Sequence, residues 1–233
     1  MTNSQPTIPQ GCPASGLAGQ FNTWITDLIR DKAAFDRKDV AVFRYSSITA
    51  YYERHLYLLT MHFKRGLGTA RDSRSPVRNG YLFDSIYKDW YLSLCRHLLG
   101  PKFLKNPVRQ PFSMAFLDVE GSRHHRAASA FQNPHIHALI LAHPTSADEF
   151  RRLAKGGILK MSDDPRISSI DILPFRDQGR SASPMMSYAA KYARDTIGSD
   201  RLDETWSVFP DLNADIYPFY GSARPSLHQM AHA

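Results

Sequence analysis

Cysteine is nearly absent from this chain: there are two in 233 residues, Cys12 and Cys95. That excludes a fold stapled by a disulfide framework. No apolar run approaches the roughly 20 residues that a bilayer-crossing helix requires. The opening stretch MTNSQPTIPQGCPASG has neither a basic n-region nor an apolar h-region. No secretory signal is therefore expected, and the chain reads as a soluble cytoplasmic protein with no membrane partner. No internal repeat is found. Negative charge is in short supply, with 22 Asp and Glu against 29 Lys and Arg, a formal net charge of +7. The pI near 9.5 points to an acidic partner, nucleic acid or less often an anionic membrane surface. What is present suffices for one good core: 42% of residues are apolar and 22% charged.

Residues 1–19 are rich in Pro, Gly, Ser, Thr and Gln and are expected to be a disordered tail. Residues 20–45 form an N-terminal helical segment, in which Phe21, Trp24, Ile25, Leu28 and Ile29 recur at helical spacing as far as Phe35. Val40–Tyr45 fits a short strand or a turn. His55–Phe63 is dense in apolar, aromatic and β-branched residues and predicts a buried strand. Lys64–Asn79 is basic and polar, a mobile loop. Phe83, Ile86, Tyr87, Trp90, Leu94 and Leu98 mark one stripe of a helix that Gly100-Pro101 ends. Ser113–Glu120 and Ile136–Ala142 read as strands, most simply antiparallel neighbours across one polar loop. Ser146-Ala-Asp-Glu149 has the form of a capping box before a short helix that Gly156-Gly157 closes. Ile167–Leu173 is a further strand. A last helix runs from Ser183 to Gly198, and the tail 201–233 is partly irregular. These elements make an α+β fold, a central antiparallel β-sheet with flanking helices.

The sharpest chemical signal is Pro134-His135-Ile136-His137. Residues i and i+2 of a strand share a face, so His135 and His137 present two imidazoles side by side, half of a metal site. Read alone, a pair of hydrogen-bonded surface histidines has about equal weight. Asp118 and Glu120 share a face of the preceding strand, and a carboxylate from either would complete a mixed set suited to Mg²⁺ or Mn²⁺. Glu120 is favoured because it lies nearer the loop leading to His135; Asp118 would sit one pleat deeper. The second signal is Tyr188-Ala-Ala-Lys191-Tyr192. At i and i+4 of a helix the two phenols lie on one face with Lys191 beside them. Core packing is the commoner use of such a pair. Tyrosine is also a covalent nucleophile once its hydroxyl is helped to ionise. A metal that polarises a phosphate and a tyrosine that attacks it together describe phosphoryl transfer. The basic residues Arg71, Arg74, Arg78, Lys102, Lys105, Arg109, Arg123, Arg126 and Arg194 would hold a nucleic-acid backbone. Tyr51, Tyr52 and Tyr81 are candidates for stacking unpaired bases, although packing is the usual role of such residues. Thr60 and His62 share a face of the first strand.

With these residues in this order, the chain resembles the HUH endonucleases, the rolling-circle replication initiators of plasmids and phages with their relatives among relaxases and transposases. Leu56–Phe63 is similar to the family's first motif, an apolar strand with Thr60 near its end. His135-Ile136-His137 matches the second, with Glu120 in the position of a third ligand. Tyr188-Ala-Ala-Lys191-Tyr192 resembles the two-tyrosine form of the third, and either tyrosine could be the first nucleophile. The resemblance covers roughly residues 55–198 and implies an endonuclease domain over 46–200 with an RRM-like core. It implies nicking of single-stranded DNA at a replication origin, a 5′-phosphotyrosine intermediate, and a Mg²⁺ or Mn²⁺ cofactor. The chain has no G-x-x-x-x-G-K-[ST] motif, so a separate host helicase is expected as a partner. A histidine-triad hydrolase would need a third His where Leu139 stands, and a cupin would need a Glu nearer to His137 than Asp148. The stronger rival is a non-catalytic DNA- or RNA-binding module of RRM-like shape.

Overall fold

The computed structural model describes residues 14–39, 45–64, 77–118, 134–157, 159, 163–176, 183–190 and 206–211. Among the described residues five α-helices and five β-strands follow one another: α1 (Ala14–Asp39), α2 (Ile48–His55), β1 (Leu56–Phe63), α3 (Val77–Leu99), β2 (Phe112–Asp118), β3 (His135–Leu141), α4 (Ala147–Lys155), β4 (Ile167–Pro174), α5 (Ser183–Ala189) and β5 (Trp206–Phe209). The strands form one sheet in the order β4-β1-β3-β2-β5, and every neighbouring pair is antiparallel. This is an α+β fold, with β1 to β4 and the helices α3 and α4 in β-α-β-β-α-β succession.

The sheet divides two apolar layers because side chains alternate along each strand. Tyr57, Leu59, Met61 and Phe63 of β1, with Ala138 and Ile140 of β3, face α3 and α4. Leu56, Leu139, Leu141, Phe112, Met114 and Phe116 face α1, α2 and α5. The stripe Phe83, Ile86, Tyr87, Trp90 and Leu94 is buried on α3. That helix ends at Gly100, whose φ of 78° lies in the left-handed region open to glycine.

Several boundaries differ from those the sequence suggests. The first helix begins at Ala14, so residues 14–19 are helical and only residues 1–13 of the expected tail lie outside the described residues. His55 closes a helix instead of opening a strand. The aromatic octapeptide Ile48–His55 coils because Ser47 caps it, its hydroxyl oxygen accepting from Ala50 N at 3.1 Å. The capping box before α4 does not form. Ser146 donates its hydroxyl to the His143 carbonyl at 3.3 Å, and Glu149 binds Arg152 at 2.6 Å. Residues 206–209, in the tail expected to be partly irregular, pair with β2 as an edge strand. Trp24 of α1 meets Trp206 of β5 at 5.0 Å, and Phe21 meets Phe116 of β2 at 6.3 Å. Residues 40–44, most of the basic loop, the loop after β2 and residues 191–205 lie outside the described residues. Among the described residues no helix is long and apolar enough to cross a membrane.

Candidate metal centre

Each central strand changes from apolar to polar at the same end of one face. On β1 that face reads Leu56, Leu58, Thr60, His62; opposite it on β3 stand Leu141, Leu139, His137, His135; and opposite these on β2 stand Phe112, Met114, Phe116, Asp118. Two rows of hydrocarbon thus give way to the row Thr60–His137–Phe116 and the row His62–His135–Asp118. The polar end lies on the face covered by α1, α2 and α5, so it is a pocket in a core and not a patch on a surface.

Asp118, His135 and His137 bring one ligand atom each to within 4.8 Å of one another. Asp118 Oδ2 lies 3.2 Å from His135 Nε2 and 3.1 Å from His137 Nε2. Metal–ligand bonds of about 2.1 Å place neighbouring donors about 3.0 Å apart around an octahedral ion and about 3.4 Å around a tetrahedral one. The two edges from Asp118 fall in that interval. Asp118 is fully buried, and His135 is the more open imidazole, its side chain 12% exposed. A buried carboxylate oxygen within reach of two imidazole nitrogens calls for positive charge between them, from a proton or a metal ion. The donor set, two imidazoles and one carboxylate, fits a divalent ion, and this buried group could hold one.

Thr60 supports the arrangement from β1. Its Oγ1 and His137 Nδ1 are joined by a hydrogen bond of 3.0 Å. The tautomer suited to a metal donates Nδ1–H to Thr60, which turns the Nε2 lone pair toward Asp118. The His135 and His137 rings stand perpendicular, 4.8 Å apart. His62 stacks on His135 from the other side at 5.3 Å and 24°. Its imidazole is held below its ordinary value, chiefly by burial and then by His135, with Asp171 opposing.

The structure places Asp118 beside both histidines; the favoured Glu120 lies outside the described residues. Tyr188 on α5 meets this centre, its ring 4.9 Å from that of His137 and tilted by 54°. Met186 and Ala189, buried on the same short helix, seat α5 on the sheet. Lys191, Tyr192, Arg194, Arg71, Arg74, Arg123 and Arg126 lie outside the described residues, and of Arg78 and Tyr81 only their places near the start of α3 are described. Tyr51 and Tyr52 are core residues, 0% and 7% exposed, so neither can stack a base. Lys102, Lys105 and Arg109 are exposed, but they sit between α3 and β2, at the opposite end of the sheet from Asp118. The length of β2, about 20 Å, separates them from the centre.

A second buried polar group occupies that opposite end. Lys32 and Asp36 of α1 form a fully buried ion pair. Tyr51 of α2 donates to Asp36 at 3.2 Å, and His143, just past β3, approaches it at 3.8 Å. His55 shares a hydrogen bond through Nδ1 with the Ala142 carbonyl at 3.0 Å and stacks on Tyr51 at 4.2 Å. Sequence reasoning missed this network; the i, i+4 pair Lys32–Asp36 on the apolar side of α1 was its one visible trace. Against known proteins, no family model, curated protein or solved structure matches the chain.

Proposed function

We propose that the chain is a metal-dependent nickase of single-stranded DNA that works through a 5′-phosphotyrosine intermediate, as the HUH endonucleases it resembles do. One observation supports the reading above others: a tyrosine ring packed directly on an imidazole of a buried two-histidine, one-carboxylate cluster. The β-α-β-β-α-β succession with its antiparallel sheet is compatible with the RRM-like core of that family. Asp118, His135 and His137 would hold Mg²⁺ or Mn²⁺. The bound ion would supply Lewis acidity toward a scissile phosphate oxygen.

The protein's own groups carry the rest. Asp118 and the two imidazoles are fixed on neighbouring central strands, which holds the three donors in one arrangement. Thr60 holds the His137 ring in one orientation. Tyr188 is the candidate nucleophile: its phenolic oxygen forms the bond to phosphorus, the bond from phosphorus to the 3′-oxygen breaks, the phenol loses its proton and the 3′-oxygen gains one. The phosphotyrosine bond preserves the energy of the cut linkage for a later rejoining. Tyr192 would serve a second transfer, and Lys191 would neutralise phosphate charge. An origin of rolling-circle replication is the substrate this chemistry suits, with strand separation left to a separate helicase.

The test is cleavage of single-stranded oligonucleotides with Mn²⁺, read as a covalent adduct on a denaturing protein gel. The expected result is an adduct abolished by EDTA and by His137→Ala, and abolished or halved by Tyr188→Phe with Tyr192→Phe run beside it. Binding without adduct, indifferent to EDTA and to all three substitutions, would leave a basic nucleic-acid-binding module and sink the nickase.

A further inference from the structure

Among the described residues, the cluster is more covered on one side than on the other. Toward β2 and β5 its face is covered: Phe116 is fully buried, Phe21 of α1 packs over it, and Phe21 and Trp24 pack over Trp206. Tyr188 lies against His137. Toward β4, α2 reaches only the far end of the same face, where Tyr52 meets Phe175 at 6.3 Å. Ser169 and Asp171 of β4 are exposed, opposite His62 and Thr60, and Leu173 is 61% exposed. The described route from solvent to Asp118, His135 and His137 therefore crosses β4 and β1.

His62 stands at the edge of that route. It is half-buried, it faces His135 directly across the β1–β3 register, and the two rings lie nearly parallel. It is not part of the group whose ligand atoms converge within 4.8 Å. An imidazole keeps at least one N–H donor whether neutral or charged. Such a donor, beside the cluster and facing the way in, is suited to a phosphate oxygen.

We propose that His62 is a further substrate contact, an N–H donor to a non-bridging oxygen of the scissile phosphate; this rests on the nickase reading. Its test measures two quantities on the full chain, Mn²⁺ affinity by electron paramagnetic resonance and the rate of adduct formation. In His62→Ala, Mn²⁺ affinity stays within about twofold of wild type while adduct formation slows by about 10- to 100-fold. His62→Asn, which keeps an N–H donor, recovers a large part of the rate. Wild-type nicking in His62→Ala overturns the proposal, and so does a loss of Mn²⁺ affinity equal to that of His135→Ala, which would make His62 a metal ligand. If wild type itself forms no adduct, the nickase reading falls and this assignment falls with it.

Discussion

Thr60 illustrates how much one hydroxyl can do at the scale of a residue. It touches no candidate metal ligand atom; it fixes the ring that bears one, through the 3.0 Å bond to Nδ1. Thr60→Val preserves shape and removes only that bond. We expect Mn²⁺ affinity to fall by about 10- to 100-fold, the usual cost of losing an outer-shell partner, with little change in the urea midpoint. Calorimetric titration with Mn²⁺ checks it, and unchanged affinity would show that packing alone orients His137. The histidine pair was legible because a strand's period of two is local. That Asp118 would stand beside both of them was not, because it depends on pairing register. The number of residues between the two strands does not say which residue of β2 stands opposite His135. The tyrosine helix was legible down to Tyr188, and no sequence rule says that its ring would touch His137.

At the scale of elements, α1 is the helix whose attachment is least ordinary. Beyond its apolar stripe it is pinned by Lys32 and Asp36 to Tyr51 of α2 and to His143 after β3. A buried pair costs little to keep and much to halve. Lys32→Met, which leaves Asp36 buried beside a neutral side chain, should lower stability by about 3–5 kcal/mol. Adding Asp36→Leu should restore most of the loss. Urea denaturation of the two variants checks both, and a double variant as unstable as the single would mean that the pair itself, not an uncompensated charge, holds α1. Long periodic elements such as α1 and α3 were readable from their apolar spacing. The failures were short ones. The four residues of β5 acquire their structure from pairing with β2 and from the Trp24–Trp206 contact, neither of which is local. His55 carries the same composition signal as the strand after it, and only its cap and its bond to Ala142 set it in a helix.

At the scale of the whole molecule, the buried histidines set how the fold responds to acid. Burial pushes His55 down to about 4, with Arg54 and Arg151 adding to the effect and the Ala142 carbonyl and Asp148 opposing it. Burial pushes His143 down to about 3, helped by Lys32, Arg109 and His55. In the unfolded chain both would take a proton near 6.5. Between that value and about 4 the unfolded state binds more protons than the folded one, so stability is complete above pH 6.5 and is lost as pH falls toward 4. The full excursion is on the order of 3 kcal/mol for His55. Urea midpoints in EDTA should fall between pH 7 and pH 5, where carboxylates scarcely titrate, and His143→Gln should flatten the slope. A midpoint constant over that range would contradict the burial of these rings. The fold class was readable from sequence because antiparallel strands and their covering helices announce themselves by period. The acid response was not, since it arises from how the ends of α1, α2 and β3 meet.

The arrangement of the cluster across three strands has a further meaning. His135 and His137 reach their partners only if β3 is aligned correctly with β2, which brings Asp118, and with β1, which brings Thr60. A slip of one residue on either side would turn Ile136 and Ala138 toward the pocket and the imidazoles toward α3 and α4. Two independent alignments must therefore both be right before the donors converge. An ion held there would act as a proofreader's mark: its capture would certify the assembly of the sheet's middle to the accuracy of a single residue.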